Sequence, residues 1–337
     1  MKCDMKKFVE GIFSSPRRLA IPIMTSPGFE LEHLRPSDVF RSGELEFRCI
    51  RRLAEETPAD ALVTFMDLSV EAEAFGSEIR WSEYENPTVS GSIASTLDEI
   101  EKLKIPEAGS GRTGEVLRCV ELCAAGCDRP VLGGMIGPFS LAGRLADMTE
   151  IMILAAAEPE TAELLLEKCT AFLTGYARAI RSAGADGLVI AEPAAGLLSP
   201  EMCGEFSARY LREIIRAVQD DSFPVILHNC GNAAARQVPE LLSSGARALH
   251  VGNAVDIREV LAQVPEDLPV MGNLDPVGVL RNGDPETVCA KGAALLEATS
   301  KWRNYVYSTG CDVPPGVPME NIRAFYRAVE EYNRTRS

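Results

Sequence analysis

The stretch VILHNCGN at residues 225–232 sets His228 and Cys230 two positions apart at the end of an apolar run, in a chain with three histidines. Side chains at i and i+2 of a β-strand point to the same face, so both groups would project together. Cys311 ends a later apolar run, YVYSTGC at 305–311. One imidazole and two thiolates make a soft three-ligand set that suits zinc and leaves a fourth tetrahedral position for water or substrate. The competing reading of H-x-C is a pair of buried core side chains, and the spacing alone leaves both open. His250, in ALHVGN, reads as a structural residue or one lying behind the ligands; His33, in ELEHLRPSD, reads as a surface helix or loop residue. Cys119, Cys123 and Cys127 recur every four residues, which aligns them on one helical face. With no histidine or carboxylate converging on them in sequence, they read as small buried hydrophobes.

The elements that must carry these groups are legible as eight short apolar runs: 19–25, 61–67, 131–137, 187–193, 225–231, 248–253, 269–275 and 305–311. Longer amphipathic segments separate them, the pattern of βα units around a parallel sheet. The expected fold class is α/β, a (β/α)8 TIM-type barrel with an N-terminal helical extension; a doubly wound sheet is the alternative. Ser199-Pro200 has the form of a helix start and Gly184 that of a residue just past a helix end. Residues 68–130 are too long for one crossover and are expected to form an insertion over the C-terminal mouth of a single domain spanning 1–337.

Polar residues gather at the C-terminal ends of the runs, the catalytic face of such a barrel. Among them, Asp67 and Glu192 are candidates to orient substrate or organise the ligands, with helix capping as the alternative for Asp67. Asn229 and Asn273 are candidates for cofactor contact, against a backbone-bonding role for Asn229 and a turn role for the GNLDP segment.

Acidic residues outnumber basic ones 49 to 34 and the net charge is -15, without a basic cluster suited to phosphates, so nucleic acid is not an expected partner. No apolar stretch approaches the ~20 residues of a bilayer span. Glu10, Ser14 and Ser15 interrupt the apolar part of the N-terminal segment, so a secretory signal is not expected. Ten cysteines in 337 residues fall short of a disulfide scaffold. The expectation is a cytoplasmic protein with reduced thiols.

ILHNCGN, GNLDP and STGCDVPPGVPMENI, taken in order, resemble the uroporphyrinogen decarboxylase superfamily, and within it the zinc-dependent methylcorrinoid:coenzyme M methyltransferases. FMDLSVEAEAFG, VLGGMIGPFSLAGRL and AEPAAGLLSPEMCGEF are similar to the same branch. The resemblance implies a single barrel domain with zinc on His228, Cys230 and Cys311. It also implies transfer of a methyl group from a methylated corrinoid (methylcobamide), carried by a separate corrinoid protein, to a zinc-activated thiol such as coenzyme M. Metal coordination would make chemical sense of the donors, because a free thiol, with pKa ~8.5, is mostly protonated at neutral pH. In this branch an acidic residue on the strand after H-x-C completes the metal sphere; here that strand carries His250, which either replaces it or leaves the position open.

A pterin acceptor, tetrahydrofolate, is the alternative within methyl transfer. A non-catalytic docking module with structural zinc is less consistent with three protein ligands and no fourth cysteine. Uroporphyrinogen decarboxylase is the remaining rival; its pattern has an R-Q-A-G-R stretch after the first strand to bind substrate carboxylates, and this chain has no arginine between Thr25 and Leu34.

Overall fold

The computed structural model describes residues 3–336. Seven of the apolar runs form parallel strands: β1 (Leu62–Val63), β4 (Val131–Ile136), β5 (Gly187–Ala191), β6 (Val225–Asn229), β7 (Ala248–Val251), β8 (Val270–Leu274) and β9 (Tyr305–Thr309). They pair in the order β1-β4-β5-β6-β7-β8-β9. The eighth run, 19–25, closes the ring as an extended segment. On one side the amide of Ile21 donates to the Tyr307 carbonyl (3.0 Å) and the amide of Tyr307 to the Leu19 carbonyl (3.0 Å). On the other side the Asp60 amide donates to the Ala20 carbonyl (2.9 Å), and Asp60 Oδ2 accepts from the Ala20 amide (2.7 Å). The result is the expected α/β, TIM-type barrel.

The strands are apolar on both faces because each lies between the barrel interior and a helical coat. A period of two sorts their side chains. Val63, Leu132, Val189, Ile226, Ala248, Met271 and Val306 meet inside the barrel, together with Ile21 from the closing segment. Leu188, Ile190, Leu227 and Leu249 alternate outward into the larger core beneath the helices. Helix Met5–Ser14, the N-terminal extension, adds Met5 and Ile12 to the interior cluster and so plugs its N-terminal end. Two residues beyond Ile226, Ala248 and Val306 on their parallel strands come His228, His250 and Ser308, all buried. The interior therefore changes from an apolar layer to a polar one within one pleat of each strand.

Ser199 caps its helix by accepting from the Met202 amide (3.2 Å), and that helical run passes through a π turn at Gly204–Ala208 before ending at Val218. Helix Pro159–Ser182 ends at Ala183, followed by Gly184 at φ +107°, a left-handed conformation that glycine adopts without steric cost. Residues 68–130 hold helix Val70–Ala74, an antiparallel hairpin of β2 (Glu78–Arg80) and β3 (Thr88–Ser90), and helices Leu97–Lys102 and Thr113–Gly126. Trp81, next to β2, lies beneath the Arg41 guanidinium at 3.6 Å and that of Arg112 at 4.7 Å, which ties the hairpin to the barrel. Among the described residues, no helix is long and apolar enough to cross a membrane.

Candidate metal centre

His228 lies in the last turn of pleat of β6, with its side chain inward, and Cys230 follows at the strand end. Cys311 stands two residues past β9. One donor atom from each of the three lies within 4.8 Å of the other two. The His228 Nε2 is 3.8 Å from Cys311 Sγ. His228 is buried, whereas both cysteines are partly accessible. Close packing holds the Cys230 backbone in place: a Cβ on Gly252 would come 2.6 Å from Cys230 Cα, so only glycine fits beside it.

The two thiols interact. A hydrogen bond from Cys311 lowers the Cys230 pKa to about 7, and the same bond pushes Cys311 up to about 12. One member of the pair is thus poised to lose its proton near neutrality. The donors fit a zinc ion in kind, an imidazole nitrogen with two sulfurs. They also fit in spread, since two ligands ~2.0–2.3 Å from one tetrahedral ion lie roughly 3.5–3.8 Å apart.

His250 faces His228 across the β6–β7 register, Nδ1 to Nδ1 at 2.8 Å. Its Nε2 lies 2.9 Å from Ser308 Oγ. Both ring nitrogens are engaged, so His250 lies behind His228 and offers no fourth donor atom. Burial holds its pKa well below the usual histidine value and keeps it neutral.

A cavity of ≈ 260 Å³ opens onto the three donors, lined also by Asp67, Arg144 and Asp312 and by Asn86, Pro87 and Thr88 of the hairpin. The hairpin therefore borders the cavity. Asp67 reaches the cavity wall but is committed elsewhere: it is ion-paired with Arg112, and its Oδ1 accepts from the Ser69 amide (2.9 Å) and hydroxyl (2.6 Å). Arg112 also pairs with Glu73 and donates to Ser69 Oγ at 2.9 Å.

Glu192 does not line the cavity. Fully buried, it accepts from the Phe139 amide (2.8 Å), the Ser140 amide (2.9 Å) and the Ser207 hydroxyl (3.1 Å). It thus caps the amino end of helix Pro138–Ala146, where aligned peptide dipoles favour an acceptor. Burial nevertheless pushes its pKa above the usual carboxylate value. A Cβ at Gly137 would meet Glu192 Oε2 at 2.4 Å, which explains glycine at that turn.

Asn229 Oδ1 accepts from the Gly231 amide (2.8 Å), and Asn273 Nδ2 donates to the carbonyls of Gly252 (2.9 Å) and Val255 (2.8 Å). Both side chains shape the loops around the donors. Asp275 accepts from the Val277 and Gly278 amides, forming the turn that GNLDP suggests.

Two participants, Arg144 and Ser308, were not singled out from the sequence, whereas Asp312 is one of the polar residues that gather at the C-terminal ends of the runs. Arg144, on the cavity wall, makes no ion pair among the described residues; the signal was a lone cation in the apolar helix FSLAGRLA. Asp312 has a buried Oδ1 without a hydrogen-bond partner, and desolvation together with the adjacent Cys311 raises its pKa well above the usual value. Ser308 could be found only by counting inward positions along β9 from Val306.

The model of the family described as uroporphyrinogen decarboxylase (URO-D) matches residues 29–332. A methylcobamide:CoM methyltransferase, MtbA, of Methanosarcina mazei is 31% identical, over 79% of this chain and 78% of that protein. A uroporphyrinogen decarboxylase of Pseudoalteromonas translucida is 26% identical, over 87% of this chain and 84% of that protein. The solved structure of a methyltransferase from Methanosarcina mazei superposes with a TM-score of 0.87 at 22% identity, covering 98% of this chain and 99% of the other. With its barrel, its donor cluster and a family match across nearly the whole length, the chain belongs to the uroporphyrinogen decarboxylase family.

Proposed function

We propose that this chain is a methyltransferase that moves a methyl group from a methylated corrinoid, presented by a partner protein, to a small thiol bound at His228, Cys230 and Cys311. The convergence of these donors at one cavity carries the reading. Its similarity to a methylcobamide:CoM methyltransferase supports it. A zinc ion held by these residues would supply Lewis-acid activation, keeping an acceptor sulfur deprotonated and nucleophilic.

The chain's own residues bind and orient. His228 and the two cysteines hold one side of the site, and the loop bonds of Asn229 and Asn273 keep the β6 and β8 ends in place. Arg144 offers an unpaired guanidinium for an anionic tail on the acceptor. In the transfer a sulfur–carbon bond forms as the cobalt–carbon bond breaks. The electron pair stays with cobalt, and the thiol proton passes to solvent.

A cavity of ≈ 260 Å³ favours a compact thiol such as coenzyme M over a folate, since pockets for drug-sized ligands measure roughly 300–1,000 Å³. A tetracarboxylate or larger polyanion, as decarboxylation of uroporphyrinogen requires, would need several cations where the cavity lining presents Arg144 alone. We further read residues 1–337 as one domain, with 68–130 elaborating a crossover. Ten cysteines without a disulfide suit a reducing compartment, and the cytoplasm is the proposed location.

The test mixes the protein with methylcobalamin and, separately, coenzyme M, homocysteine or tetrahydrofolate, and follows cob(I)alamin by absorbance. Demethylation with a thiol is expected. No demethylation with any acceptor, or demethylation with tetrahydrofolate alone, overturns the thiol reading.

A further inference from the structure

Protons can be placed one by one in the polar layer formed by His228, His250 and Ser308. Ser308 Oγ lies 2.7 Å from the Ile21 carbonyl oxygen, which can only accept, so the single hydroxyl proton goes there. The Ser308 oxygen must then accept from His250, which places a proton on His250 Nε2, 2.9 Å away. His250 is 1% exposed and has no carboxylate among its hydrogen-bond partners, so it carries one ring proton and its Nδ1 is bare. That bare nitrogen faces His228 Nδ1 at 2.8 Å, a contact that needs one proton between the rings. The proton therefore belongs to His228 Nδ1, and His228 turns an unprotonated Nε2 toward Cys311.

We infer that His250 is a positioning residue: with Ser308 and the Ile21 carbonyl it locks His228 in the Nδ1–H tautomer, whose free Nε2 lone pair can bind a metal ion. The consequence for metal binding rests on the proposed zinc site, whereas the tautomer follows from hydrogen bonds within the chain. A neutral histidine that donates its second nitrogen to a fixed acceptor is a more basic and better oriented ligand. Here the acceptor is a second imidazole, and the chain of bonds runs from β6 through β7 to β9, past β8, and into the closing segment.

The test uses the full-length protein, stripped of metal and labelled with 15N-histidine. Only His33, His228 and His250 contribute signals, and His33→Gln removes one for assignment. Two-bond proton–nitrogen correlation spectra are expected to show His228 protonated at Nδ1 and bare at Nε2, and His250 protonated at Nε2. A proton on His228 Nε2 overturns the inference.

Zinc titration against a chromophoric chelator gives a second reading. His250→Phe keeps a ring but removes the acceptor and is expected to weaken zinc binding ~10–100-fold. His250→Asn, whose Oδ1 stands where Nδ1 stood, should recover most of that loss. Equal zinc affinity in wild type and a folded His250→Phe overturns the positioning role. Failure of the wild type to bind zinc would instead overturn the metal site, and the histidine spectrum would still decide the tautomer.

Discussion

His228 Nε2 and Cys311 Sγ stand 3.8 Å apart although 83 residues separate them in the chain. Three further strands intervene between β6, which carries the histidine, and the loop that carries the cysteine. Closure of the sheet is what brings the two together. The donor cluster is a property of the whole barrel and cannot form in a fragment of it.

Metal content should follow from this arrangement. Wild-type protein is expected to hold about one zinc per chain after dialysis, and Cys230→Ala and Cys311→Ala to hold none. Elemental analysis of all three, with circular dichroism to establish folding, checks this. Zinc retained by both folded variants would contradict the assignment.

Asp67 and Arg112 are both buried, and without Asp67 the guanidinium keeps Glu73 as its counter-charge but loses its buried partner. Asp67→Ala should therefore cost ~1–3 kcal/mol of stability. Denaturant unfolding measures the loss, and zinc content of the folded fraction should remain near the wild-type value. Loss of zinc with unchanged stability would assign Asp67 to the site instead.

Glu192 serves helix Pro138–Ala146 from a strand end more than fifty residues away in sequence. Glu192→Ala strands two helix amides and should lower stability by ~1–3 kcal/mol. Glu192→Gln keeps carbonyl acceptance and should lose less. Equal unfolding midpoints for wild type and Glu192→Ala would remove the capping role.

Arg144→Met should raise KM for an anionic acceptor ~10-fold or more with little change in kcat, because it removes binding shared by ground and transition states. Zinc content should not change. Steady-state kinetics with a sulfonated thiol and an uncharged one separate the effect, which should vanish for the uncharged acceptor.

Glu46 and Glu71 are buried, and desolvation raises each pKa to about 8 from an ordinary value of 4.5. Between those values the folded chain keeps protons that the unfolded chain releases. Stability should fall as pH rises from about 4.5 to about 8, by roughly 1 kcal/mol per pH unit for each group. Glu46→Gln should flatten that slope and leave the protein more stable than wild type at pH 8. Unfolding curves at pH 5 and 8 check both, and parallel slopes would contradict the burial argument.

Much of the fold was legible because parallel strands sandwiched between layers must be short apolar runs, and all eight expected runs belong to the barrel wall. The H-x-C pair was legible for a related reason: a spacing of two is a statement about one face of a strand. Partnerships across the fold were hidden. Nothing local to Asp67 announces Arg112, and nothing in AEP announces the helix that Glu192 caps. Arg144 and Ser308 were missed because their importance comes from what surrounds them. The role of Asn229 and Asn273 in bonding nearby carbonyls and amides is the ordinary behaviour of asparagine in a loop, which sequence cannot separate from ligand contact.

The bond from Ser308 to Ile21 also spans the seam where the first and last parts of the barrel wall meet. Ring order at the donors thus depends on the segment around Ile21 pairing with the strand that carries Ser308. A variant lacking that segment would retain every coordinating side chain yet lose the carbonyl that fixes the Ser308 proton, so the tautomer at His228 is coupled to closure of the ring.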